Sequence, residues 1–137
     1  MKVKFLGVLL FLVITNLLTC GWFKQKAFVY FNDRPITAET VLNPMYEFKQ
    51  GERVYYLFFS KKKLENQYIR VQLFKIGDNI PQGAASMIRV KDYRLMNDEK
   101  FYHTNYFVLH QPGRYIVQIY DPQDVNIPLA RGEFKVK

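Results

Sequence analysis

The chain has 137 residues, 20 Lys and Arg against 12 Asp and Glu, a formal charge of +8 at pH 7 and a single cysteine. That length suits one domain around one hydrophobic core. One cysteine excludes an intramolecular disulfide, so apolar burial has to hold the fold, and 12 Phe, 10 Tyr and 1 Trp supply the material.

The first element is a leader. "MKVKFLGVLLFLVITNLLTC" opens with Lys2 and Lys4 and then runs apolar from Phe5 to Leu18, broken only by Gly7, Thr15 and Asn16. This order, cation then apolar run, is that of a secretory signal peptide. The run falls short of the about 20 apolar residues that cross a bilayer as a helix. Extension through Trp22 and Phe23 approaches that length and leaves an uncleaved anchor over residues 5–23 open.

The lone Cys20 stands where the run ends, in "LLTC". This resembles a bacterial lipobox. Leu17, three residues before the cysteine, and Gly21 after it suit that family's pattern, while Leu18 and Thr19 depart from the small residues customary there. The resemblance implies residues 1–19 as a signal peptide, diacylglycerol on Cys20, and residues 20–26 as a lipidated tether. It also implies a membrane-anchored place in a bacterial envelope. Where the enterobacterial sorting rule applies, Gly21 in place of Asp directs such a protein to the outer membrane. Without Lys2 and Lys4 the count is 18 basic against 12 acidic residues. On an exported chain this excess points to anionic lipid headgroups or acidic glycans rather than nucleic acid. Solubility alone is the plainer explanation.

From Ala27 onward the pattern is β. Strands are predicted at "AFVYF" (27–31), "RVYYLFFS" (53–60), "QYIRVQLFKI" (67–76), "SMIRVKDYRL" (86–95), "FYHTNYFVL" (101–109), "RYIVQIYD" (114–121) and "GEFKVK" (132–137). Each is rich in β-branched or aromatic residues and bounded by turn formers, as in "GDNIPQG" and "QPG". "PITAETVLNPMYEF" has room for one more short strand, which Pro35 and Pro44 restrict to an edge. Seven strands at this spacing predict an all-β antiparallel sandwich over residues 27–137.

In "PGRYIVQIYD", Pro112 and Gly113 make a turn, and Tyr115, Val117 and Ile119 then share one face. The stretch resembles the penultimate strand of immunoglobulin-like and fibronectin-like domains. The resemblance implies that the Tyr115 hydroxyl ties down the corner beside Gly113. "PLARGEFKVK" looks like their last strand, with Phe134 and Val136 inward. The family's disulfide and its companion Trp are absent, which excludes an antibody-type domain. Two strands, 53–60 and 67–76, carry apolar residues on both faces, whereas a sandwich buries one face of each sheet. The second face needs a cover: a loop, the "VLNPMYEF" segment or another protein.

Chemistry finds little material. If the strand is regular to Leu109, the odd spacing of His103 and His110 puts them on opposite faces, away from a shared metal. Ser60 and Ser86 lack a nucleophile-elbow context. Asp78, Asp121 and Asp124 read as turn formers before calcium ligands. No catalytic residue, metal or cofactor is expected.

Two surface groups remain. Lys61, Lys62 and Lys63 share a loop flanked by Arg53 and Arg70 in the adjoining strands, a candidate contact for anionic lipid or glycan. Tyr93, Tyr102, Tyr106 and Tyr120 are placed on outer faces beside Phe74 as a candidate partner contact, since tyrosine joins a large apolar body to a polar tip. The function expected is that of a non-enzymatic, envelope-tethered binding or scaffolding module. The alternatives are an accessory subunit with an apolar sheet face buried against an envelope protein, and a carbohydrate-binding module using the tyrosines. Oligomeric state stays open.

Overall fold

The computed structural model describes residues 26–77 and 84–137. Residues 1–19, Cys20 and Asp78 lie outside the described residues, as do most of the tether and of the "GDNIPQG" turn.

Eight strands follow in order: β1 Ala27–Asn32, β2 Glu47–Phe48, β3 Arg53–Ser60, β4 Tyr68–Ile76, β5 Ala85–Arg94, β6 Tyr102–Val108, β7 Gly113–Tyr120 and β8 Ala130–Val136. They build a three-stranded sheet, β1-β3-β6, and a five-stranded sheet, β2-β8-β7-β4-β5. The chain changes sheet between β1 and β2, β2 and β3, β3 and β4, β5 and β6, and β6 and β7. This is a two-sheet sandwich of the immunoglobulin-like kind. All seven expected strands are present, with ends within two residues of those read from the sequence. The eighth, β2, is the short edge strand foreseen before Gly51, and it lies parallel to β8 with Phe48 opposite Val136.

Side-chain alternation fills the space between the sheets. Val54, Tyr56 and Phe58 of β3 face Ile69, Val71 and Leu73 of β4 and Tyr115, Val117 and Ile119 of β7 in one buried cluster. Phe134 is its aromatic hub. Its ring centroid lies 4.9 Å from Phe31, 5.7 Å from Phe48 edge-on and 5.5 Å from Tyr115 in a stack. Gly132 makes this possible, because a Cβ there would sit 2.7 Å from Cε2 of Phe31. The corner at Tyr115 is built: its hydroxyl donates to the Gln111 carbonyl at 2.6 Å, just before Gly113, whose φ is +146°.

One side of the sandwich is closed by a strap. The Met45 N–H donates to the Phe31 carbonyl of β1 at 2.8 Å, while the carbonyls of Tyr46 and Phe48 accept from Lys135 and Lys137 of the other sheet. Buried Asn32 pins the preceding loop, donating from Nδ2 to the carbonyls of Thr40 and Asn43 at 3.2 and 2.9 Å. The opposite side is open. β5 pairs only with β4, its register shifts between Leu73 and Phe74, and Ile88 is left over as a bulge residue.

Candidate functional site

The apolar second face of β3 is not covered by the described residues. It forms the middle of the three-stranded sheet's outer surface, where strand pairing aligns aromatic side chains in rows. Phe28, Phe59 and Tyr102 make one row, Tyr30, Leu57 and Thr104 the next, and Tyr55 with Tyr106 a third, beside Asn32. Phe59, Tyr102 and Tyr106 are 40, 41 and 42% exposed. The Tyr55 and Tyr106 rings lie 5.5 Å apart. No carboxylate stands in these rows. Burial, then the neighbouring Tyr46 phenol, raises the Tyr30 hydroxyl above its ordinary pKa.

Cations mark both ends of the face. Arg53, at the start of β3, donates to the Tyr55 hydroxyl at 3.3 Å and lies 4.8 Å from the Tyr106 ring centroid. Lys61, just past the other end of β3, holds its Nζ 5.2 Å from the Phe28 centroid. Such cation–aromatic contacts keep a charge over a ring without burying it.

Of the five aromatics expected to form one contact surface, Tyr102 and Tyr106 belong to this face and the other three do not. Tyr93 pairs with Ile69 and so turns inward, its ring 4.6 Å from that of His103. Tyr120 is 8% exposed, and its hydroxyl donates to Gln118 Oε1 at 2.7 Å, so little of it is available to a partner. Phe74 stands on the outer side of the other sheet, opposite Ile116. Parity along each strand and the sheet changes separate residues that look alike in sequence. Phe28, Tyr30, Tyr55 and Phe59 were missing from the expected surface. Their signal was the two-sided apolar pattern of "RVYYLFFS", and which strands flank it became visible only with the pairing.

The expected basic cluster is also redrawn. Arg53 and Ser60 bound a strand of 8 residues, so Arg53 sits about 23 Å from the lysine loop. Arg70 lies on the outer side of the five-stranded sheet and is held by Asp92, with Nε–Oδ1 at 2.8 Å and Nη2–Oδ2 at 3.0 Å. That bidentate bond lowers the Asp92 carboxyl below its ordinary range. The lysine loop instead neighbours two other lysines. The Lys61 N–H donates to the Lys26 carbonyl at 2.8 Å, and the Leu64 N–H to that of Lys100 at 3.1 Å.

The remaining candidate chemistry is structural. His103 lies in the sandwich with Nε2 3.4 Å from the Tyr56 hydroxyl, and burial lowers its pKa to about 4. Burial likewise drives the Tyr56 phenol well above its ordinary value. His110 lies past the end of β6, which stops at Val108 and not at Leu109. Ser60 Oγ donates to the Lys62 carbonyl at 2.6 Å. Asp121 Oδ1 accepts from Asn66 Nδ2 and from the Gln123 N–H at 2.8 and 2.9 Å, shaping the loop before β8. Among the described residues no group of three His, Cys, Asp or Glu side chains is placed to hold a metal ion. No helix among them is long and apolar enough to cross a membrane.

No family model matches the sequence, and no curated protein does. Among solved structures, the chain is similar to an alkylpurine DNA glycosylase, AlkC, from Pseudomonas fluorescens at 12% identity and a TM-score of 0.41, over 82% of this chain and 30% of that one. It is similar to the PmoD soluble domain from Methylocystis at 10% identity and a TM-score of 0.46, over 81% of this chain and 90% of that one. A β-glucosidase from Kluyveromyces marxianus matches at 10% identity and a TM-score of 0.35, over 68% of this chain and 14% of that one. The chain thus spans under a third of the glycosylase and about a seventh of the glucosidase. At this level of likeness nothing passes from those proteins to this chain.

Proposed function

We propose that this chain is an exported bacterial lipoprotein whose β-sandwich is a non-catalytic binding or scaffolding module, working through the outer face of β1, β3 and β6. The observation that carries the reading is the set of aromatic rows on that face, partly open to solvent and without a carboxylate. Exposed aromatic patches of this kind mark interaction surfaces. Export and anchoring rest on the leader and on the Cys20 motif. The accessory-subunit reading uses the same face and differs in what occupies it.

Two measurements test the reading. The intact mass of the membrane-extracted protein should correspond to a chain beginning at Cys20 with added acyl groups, and Cys20→Ser should leave the leader uncleaved. A full-length chain without acyl groups in both samples would replace the lipid with an anchor over residues 5–23. For the face, a photo-crosslinking amino acid placed at the Tyr106 position should form adducts in the native envelope, and one at the Phe74 position should not. Adducts at the Phe74 position alone would move the contact surface to the other sheet.

A further inference from the structure

The face of β1, β3 and β6 points to a specific occupant, and we infer that this face lies against the anionic lipid surface of the membrane in which the N-terminus is held. The inference rests on the anchored reading above and names what the contact face meets.

Chain length is the first argument. Seven residue steps separate Cys20 from Ala27, the first residue of β1, and a fully extended chain covers about 25 Å in that span. β1 is an edge strand of the three-stranded sheet. The anchor therefore enters on this sheet, and the five-stranded sheet stands behind it by a sheet spacing of about 10 Å. A tether this short keeps the domain within reach of the bilayer, and charge and side-chain chemistry decide which face meets it.

Charge is the second. The end of the sandwich where β1 begins brings together Lys26, the Lys61–Lys63 loop and Lys100 through the hydrogen bonds that link Lys26 to Lys61 and Lys100 to Leu64. The same two loops carry Glu65, Asp98 and Glu99, and Asn66 holds Asp121 beside them, so lysine outnumbers carboxylate five to four. Arg53 adds a cation at the far end of the face. Anionic headgroups attract such clusters within a Debye length of the surface.

Side-chain chemistry is the third. Tyrosines with apolar bodies and polar tips are the residues that settle at headgroup depth. Tyr55, Tyr102 and Tyr106 stand on the lipid-facing side in this arrangement, with Phe59 beside Tyr102 and Leu57 in the row between. The outer face of the five-stranded sheet also carries exposed Tyr68, Met87 and Val90, but it sets them among ion pairs such as Arg70 with Asp92 and lies on the sheet that does not contain β1.

The test uses the full chain reconstituted through its own N-terminus into phosphatidylcholine vesicles containing a minority of phosphatidylglycerol, with bromine on the acyl chains near the glycerol. In a Trp22→Phe background, single reporters are introduced as Phe59→Trp, Tyr106→Trp and, on the opposite sheet, Phe74→Trp. The two face reporters should be quenched by the brominated lipid roughly two- to threefold more than the Phe74→Trp reporter, with the difference shrinking in high salt or without phosphatidylglycerol. Tyr102→Trp supplies a further face reporter should either of the first two fail to fold. Equal quenching on both sheets would overturn the inference. So would face reporters shielded from both the brominated lipid and aqueous acrylamide, the signature of a protein partner or a second copy seated there. The acyl mass of the same sample separates the two readings. An acylated chain with an unquenched face overturns this inference alone, whereas a quenched face on an unacylated chain supports it and removes the lipidated Cys20.

Discussion

The two outer faces of the sandwich use the same strand-forming residues between the same kinds of turn, yet only one sets cross-strand ion pairs among its apolar side chains. On the five-stranded sheet, outward positions include ion pairs, Arg70 with Asp92, Arg114 with Glu133 and Glu47 with Lys137, beside Tyr68, Phe74, Met87 and Val90. On the three-stranded sheet the corresponding rows hold Phe28, Tyr30, Tyr55, Leu57, Phe59, Tyr102 and Tyr106. Both faces are built on continuous strand pairing, broken only by the bulge at Ile88, so pairing does not account for the difference. The difference lies in what each row offers a neighbour. A cross-strand pair of opposite charges is satisfied where it stands, while a row of rings leaves apolar area that water covers at a cost. Surface chemistry, and not sheet geometry, distinguishes the two sides.

That comparison is sharpest against the layer the two sheets share. Phe134→Ala should lower stability by about 3–5 kcal/mol, because it removes the ring on which Phe31, Phe48 and Tyr115 converge. Urea denaturation measures it, and a loss below about 1 kcal/mol would deny the inner layer its role as the core.

The next largest effect is in pH. His103 has an ordinary value of 6.5 and a folded value of about 4. Between those values the unfolded chain binds the extra proton, so the contribution is fully present above 6.5 and is lost as pH falls toward 4. The loss should reach ~2–3 kcal/mol. His103→Gln, which cannot titrate, should flatten that part of the stability profile; an unchanged slope in the variant would assign the loss to other groups.

Smaller effects separate the outer faces themselves. A double-mutant cycle on Arg70 and Asp92 should give a coupling of about 0.2–1 kcal/mol that fades in salt. A coupling insensitive to salt would mean that the ion-paired face is not simply solvated. Phe59→Ser with Tyr106→Ser should change stability by less than about 1 kcal/mol while lowering binding of an apolar dye. Dye binding that stays at the wild-type level would place the open apolar surface elsewhere.

Much of the fold was legible in the chain. Alternation put Phe134 and Val136 of β8 inward and grouped Tyr115, Val117 and Ile119 of β7 on one face, as the buried cluster has them, and the turn at "QPG" located the Tyr115 corner. The candidate surface was legible only in part. Periodicity tells which residues of one strand share a side, and it identified "RVYYLFFS" as two-sided. It does not tell which strands become neighbours. Tyr93 and Tyr102 look equivalent in sequence, yet β5 places the first opposite Ile69 and β6 places the second opposite Phe59. Arg53 and Lys61 are eight positions apart along an extended strand, which separates them as far as the sheet allows. The partner of Arg70 lies twenty-two residues away and depends on a register that only the β4–β5 pairing fixes.

The place of β1 has a mechanical consequence. Tension arriving along the chain before Ala27 is delivered at one end of a strand whose 6 residues are all paired to β3. If the resisting load sits at the opposite end of the sandwich, the force runs along the strands, and the β1–β3 bonds bear it together instead of parting one after another. The Met45 bond to Phe31, with Tyr46 and Phe48 held by β8, ties the far end of β1 to the second sheet. Loaded in that direction, the domain is in shear and braced across its two layers, so that pulling on the chain before Ala27 strains the whole ladder before any single strand peels away.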